Sequence, residues 1–160
     1  MANTYTQIYI QAVFAVEGRQ SLIAAEHKIE IYKYMTTVIQ NQKHKVIAIN
    51  GMPDHVHLLI GLNPDIALSD LVRDVKAASS RLINDKRWVR GHFNWQRGYG
   101  AFSYSKSQVS RVARYIEDQK RHHAKRSFRD EYEALLKKFE VEYDPRYLFT
   151  YIDDIDEAFR

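Results

Sequence analysis

Gly51-Met52-Pro53-Asp54-His55-Val56-His57-Leu58-Leu59-Ile60 is the stretch on which the fold turns. Pro53-Asp54 is a turn signal, and the apolar run after it reads as a strand beginning at His55. The β-branched run 45–50 before it (KVIAIN) reads as a preceding strand. Strand geometry sends alternate side chains to one face, so His55 and His57 aim two imidazoles at a single point. Paired imidazoles on a rigid strand are half of a metal site.

Outward from this hairpin, residues 5–16 (YTQIYIQAVFAV) are β-branched and aromatic with near alternation, the pattern of another strand. Between 21 and 42, Leu22, Ile29, Tyr32, Met35, Val38 and Ile39 recur at helical spacing over a length no strand reaches. After the third strand, 55–62, a second helix is expected over 69–84 with Ser69 as N-cap. Its apolar face is Leu71, Val72, Val75, Ala78, Leu82 and Ile83. Residues 85–98 read as loop and 99–105 as a fourth strand. Ser107 is placed to cap a further helix, and Ser127 with Asp130 opens a last one to Phe139. Strand, helix, strand, strand, helix, strand is the split βαβ order of a ferredoxin-like α+β fold. It predicts a four-stranded antiparallel sheet with helices on one face, the other face left for a ligand, and C-terminal helices added. The 160 residues read as a single domain, with a core over about 5–122 and a helical tail over about 127–160.

Composition excludes several classes. With no cysteine there is neither a disulfide nor a thiolate zinc site, and a reducing cytoplasm is the expected compartment. The first residues lack the basic and apolar regions of a signal peptide, and no apolar run reaches the ~20 residues of a membrane span. Net charge is only +4, but residues 71–129 hold 15 Lys and Arg against 4 Asp and Glu, while the remainder is acidic, much of it in the last thirty residues. A basic middle of that density points to a polyanion surface. Arg73, Lys76, Ser79 and Arg81 on the second helix, with Lys86, Arg87 and Arg90 in the loop, are the candidate phosphate contacts. Trp88, Phe93 and Trp95 could stack on bases, although core packing suits them better.

The histidine pair needs further ligands, and the helix after the fourth strand offers Tyr115, Gln119 and His122 within about 60° of one another. A Gln carboxamide oxygen with two neutral imidazoles and water suits Mg²⁺ or Mn²⁺ better than a structural zinc. His122-His123 beside Lys120-Arg121 reads as a surface pair.

The run 51–60 resembles the HUH motif (His, hydrophobic, His) of the small single-tyrosine transposases of bacterial insertion sequences. Tyr115-x-x-x-Gln119 is similar to their tyrosine motif. The likeness continues through 95–103 and 143–148, and extends to the REP-associated tyrosine transposases. It implies that His55, His57 and Gln119 hold one divalent cation and that Tyr115 attacks single-stranded DNA. The product would be a 5′-phosphotyrosine and a free 3′-hydroxyl, made on DNA bearing subterminal hairpins. It further implies a homodimer with composite sites, in which the tyrosine helix of one protomer can serve the histidines of the other. The region around Ser105-Lys106 and the helix over 127–139 would build the exchange or docking, the alternative for that helix being to pack on its own domain. The sequence departs from the family at Gln11, where a first-strand histidine is common. The alternative function is a non-catalytic protein that holds DNA or RNA hairpins.

Overall fold

The computed structural model describes residues 3–152; the end of the acidic tail lies outside the described residues. Strands β1 (Tyr9–Ala15), β2 (Lys45–Met52), β3 (His55–Gly61) and β4 (Gly100–Tyr104) form one antiparallel sheet in the order β2-β3-β1-β4. Helices α1 (Ala25–Asn41) and α2 (Leu68–Lys86) connect them in the expected split βαβ order. Three helices follow, α3 (Val109–Glu117), α4 (Gln119–His123) and α5 (Phe128–Lys138).

The register decides which residues share a face. Opposed residues of an antiparallel pair point the same way. Thus Ala12 and Phe14, opposite Leu58 and Val56, belong to one face, and Gln11 and Val13, opposite Leu59 and His57, to the other. The first face is apolar and lies under α1 and α2, whose Ile31, Met35, Ile39, Leu71, Val75 and Ile83 are all essentially buried. The other face holds the histidines. It is covered as well, by the helices that follow β4. Val109 and Ile116 of α3 pack with Ala48 and Leu59, while Phe128, Tyr132 and Leu136 of α5 join the main core beside Phe102. The face expected to stand open for a ligand is therefore roofed by this chain's own C-terminal helices. The helix read as a docking element packs on its own sheet.

Caps differ in detail from the sequence reading. α2 starts at Leu68 with Ala67 as N-cap, so Ser69 lies inside the first turn. Ser105, not Ser107, makes a capping box with Gln108, leading through a short 3₁₀ turn into α3. Ser127 caps α5 as expected, accepting from the Asp130 amide. The aromatic residues of the loop are structural. Phe93 and Trp95 are buried, Trp95 meeting both Phe14 and Phe93 edge-on, and the Trp95 indole donates to Ser79 Oγ at 2.9 Å, so neither ring is available to a base. Trp88 stacks on His27 at 4.3 Å. No helix among the described residues is long and apolar enough to cross a membrane.

Gly51 fixes the approach of β2 to the histidine strand. A Cβ there would lie 2.1 Å from the His55 carbonyl oxygen and 2.8 Å from Val56 Cα, both backbone atoms that cannot swing aside. Gly51→Ala is expected to cost about 3 kcal/mol of stability, read as a lower urea midpoint at unchanged slope.

Candidate active site

His55 and His57 are fully buried, with ring centroids 5.1 Å apart. His55 Nδ1 lies 2.7 Å from Asp54 Oδ1; a carboxylate only accepts, so Nδ1 carries the proton and Nε2 faces the site. The turn residue Asp54 thus orients the imidazole next to it. His57 Nδ1 is 2.8 Å from Gln11 Nε2, and Gln11 Oε1 accepts from the Tyr104 hydroxyl at 2.6 Å. Gln11 holds the ring as a hydrogen-bonding residue can, and its amide could turn to accept from Nδ1 should His57 Nε2 become a ligand.

Burial works against a charge on His55, but the Asp54 and Glu131 carboxylates together outweigh it and the pKa rises to about 9. For His57 burial wins, and the pKa falls below the usual imidazole value. A cation on His55 Nε2 must therefore displace a proton at neutral pH. Divalent-cation affinity is expected to rise with pH, by up to about tenfold per unit, and to level off above about 9. Calorimetric Mn²⁺ titrations across buffers of different ionisation enthalpy would show the released proton.

Glu131, which the sequence reading passed over, stands at the centre. Its Oε1 is 2.8 Å from His57 Nε2, 3.3 Å from His55 Nε2 and 3.2 Å from His123 Nε2. Gln119 Oε1 is 3.1 Å from both His55 and His123 Nε2. The ligand atoms of His55, His57 and Glu131 all lie within 4.8 Å of one another, joined by hydrogen bonds rather than spread around a cation. Among the described residues, His55, His57 and Glu131 form the buried His, Asp and Glu group able to hold a metal ion. The donor chemistry fits: imidazole nitrogens, a carboxylate and an amide oxygen, with no thiolate. His123, expected at the surface, is turned inward, its side chain only 7% exposed.

Tyr115 is on α3 and Gln119 opens α4 after a break at Asp118, yet both still face the site. The Tyr115 hydroxyl donates to Glu131 Oε2 and accepts from Arg126 at 2.8 Å, and its ring stacks on His122 at 4.2 Å. Burial and the neighbouring Glu131 carboxylate raise the phenol's pKa, against a smaller opposite pull from Arg126. Beside it is a cleft of about 270 Å³ whose rim carries Arg111, Arg126 and Lys138.

The ferredoxin-like sheet that carries this cluster has counterparts among known proteins. The family described as "Transposase IS200 like" matches residues 4–119. The chain belongs to the IS200-like transposases. One relative, the ISDra2 transposase TnpA of Deinococcus radiodurans, is 27% identical over 120 residues, spanning 71% of this chain and 84% of that protein. Two solved structures share the fold. One, from Deinococcus radiodurans R1 and described as a presumed transposase, has a TM-score of 0.57 at 22% identity, over 74% of this chain and 95% of its own. The other is a REP-associated tyrosine transposase bound to a REP hairpin, with a TM-score of 0.55 at 14% identity, over 74% of this chain and 70% of its own. For this IS200-like transposase the family match ends at Gln119, so His123, Arg126 and Glu131 lie beyond it.

The proposed phosphate contacts fare unevenly. Ser79 is buried, its hydroxyl donating to Val75 O at 2.7 Å and accepting from Trp95, so it cannot reach a phosphate. Lys76 is half-buried and donates to the carbonyls of Gln96 and Gly98 at 2.8 and 2.6 Å; burial lowers its pKa to about 8. It clips the loop to α2. Arg73 is paired with Asp70 and Asp74. Arg81, Lys86, Arg87 and Arg90 remain on the exposed surface.

Proposed function

We propose that this transposase cleaves and rejoins single-stranded DNA through a covalent 5′-phosphotyrosine at Tyr115, with one divalent cation, Mg²⁺ or Mn²⁺. The observation that carries this reading is the Glu131 carboxylate shared between the Tyr115 hydroxyl and the His57 imidazole, which puts nucleophile and metal donors one carboxylate apart.

His55, His57 and Gln119 would hold the cation. When bound, it polarises the scissile phosphate and offsets charge in the transition state. The remaining work falls to the chain's own groups. Arg126 donates to the Tyr115 oxygen and so favours the phenolate needed for attack. The Tyr115 Oη–P bond forms as the P–O3′ bond breaks; the phenolic proton leaves to solvent and the departing 3′ oxygen takes one up. Arg111 and Lys138 on the rim of the cleft would hold neighbouring phosphates. The phosphotyrosyl bond stores the energy of the broken phosphodiester, so a second 3′-hydroxyl can rejoin the strand without ATP.

Hairpin recognition would fall to Arg81, Lys86, Arg87 and Arg90, and the protein would act as a homodimer. The Tyr115 ring already meets His57 of its own chain edge-on, which favours a tyrosine acting in cis. The reading is tested with single-stranded oligonucleotides drawn from the DNA flanking the coding sequence, incubated with Mg²⁺ or Mn²⁺. A protein–DNA adduct that survives denaturing electrophoresis is expected. Salt-sensitive binding without any adduct would favour the non-catalytic hairpin binder instead.

A further inference from the structure

The Glu131 side chain does what a scissile phosphate would have to do. One oxygen, Oε1, faces the Nε2 atoms of His55, His57 and His123 at 3.3, 2.8 and 3.2 Å. The other, Oε2, takes the Tyr115 hydroxyl and the Gln119 amide, the latter at 3.2 Å. An in-line attack requires phosphorus about 3–3.5 Å from the phenolic oxygen, with a phosphoryl oxygen turned to the cation. That point now holds a carboxylate, an anion like the phosphate.

Access leads to the same conclusion. His55, His57, Gln119 and Glu131 have no exposed surface. Phe128, at the start of α5, lies flat on the His55 ring, with centroids 3.9 Å apart and planes 7° from parallel. Tyr132 and Leu136, one and two turns further on, anchor the helix in the core. A phosphodiester strand cannot reach the histidines while α5 is seated.

We propose that Glu131 occupies the seat of the scissile phosphate and that α5 is a lid which the DNA strand displaces. This rests on the transposase reading above. In the closed state Glu131 fills that seat and keeps the Tyr115 proton engaged. In the open state the phosphate takes both places, and the 124–127 connection swings α5 off the sheet.

The test uses the full chain and a fluorescently labelled single-stranded oligonucleotide from the flanking DNA, with EDTA present for the binding arm. Glu131→Gln keeps the shape but removes the charge facing three imidazoles, and is expected to bind the oligonucleotide about tenfold more tightly and to form adduct faster. Leu136→Ala loosens α5 without changing any charge and should tighten binding in the same direction, which separates lid opening from simple relief of repulsion. In the wild type, hydrogen exchange of the amides over 128–138 should accelerate when the oligonucleotide is added. Unchanged or slower exchange there, or loss of adduct in Glu131→Gln with DNA affinity unaltered, would overturn the lid and make Glu131 a permanent ligand. If the wild type forms no adduct at all, the transposase chemistry fails, whereas exchange and cation-free binding still report on the lid.

Discussion

Tyr115→Phe is expected to eliminate the covalent protein–DNA adduct, a loss of about 10⁴-fold or more, while binding of the same oligonucleotide is retained. The substitution removes a single oxygen. The ring can keep its stack on His122 and its edge contact with His57, whose centroid lies 6.4 Å away. What disappears is the hydroxyl between Glu131 and Arg126, a hydrogen bond to a buried charge, so stability should fall by about 1.5–3 kcal/mol. A folded variant that binds but leaves no adduct would identify the nucleophile. Strand cleavage at the wild-type rate by Tyr115→Phe would exclude it and favour an activated water.

His57→Ala should produce the largest combined loss of cation affinity and stability. Its Nε2 makes the shortest imidazole contact to Glu131, at 2.8 Å, on a carboxylate with no exposure. Removing one partner from a buried charged cluster costs about 3–5 kcal/mol, because the remaining charge is left desolvated. The fold without cation should therefore melt well below the wild type in EDTA. Mn²⁺ affinity should fall at least about 100-fold, since loss of an outer-sphere partner alone can cost that much. A cation at 100 times its dissociation constant stabilises a fold by about 2.7 kcal/mol, and the variant should lose most of that increment at the same concentration. Differential scanning fluorimetry with and without Mn²⁺ measures both effects. An unchanged Mn²⁺-dependent shift would remove His57 from the ligand set.

The local signals translated well into elements. The alternation over 5–16 became β1, the Pro53-Asp54 turn became the β2–β3 connection, and the amphipathic stripe around Phe128, Tyr132 and Leu136 became α5. His55 and His57 share a face because strand period alone requires it. Tyr115 and Gln119 remain on one side, despite the break at Asp118 between their helices. Ser79 is buried under Trp95 rather than turned to a phosphate, because a serine on a helix carries no sign of whether a tryptophan from a distant loop will seek its hydroxyl.

Glu131 left one faint trace. It sits three residues after Phe128 and four before Leu135, inside the apolar stripe, where a carboxylate is buried only if something pairs with it. His123 left none.

By itself, then, the sequence determined the strand that carries His55 and His57, the helical spacing of Tyr115 and Gln119, and the order of elements, since each depends on periodicities a few residues long. Only the tertiary structure decided that α5 returns over the histidine face and brings Glu131 between imidazoles and phenol. That placement arises from burying Phe128, Tyr132 and Leu136 against a sheet built from distant segments, and no local pattern encodes which surface an apolar stripe will find.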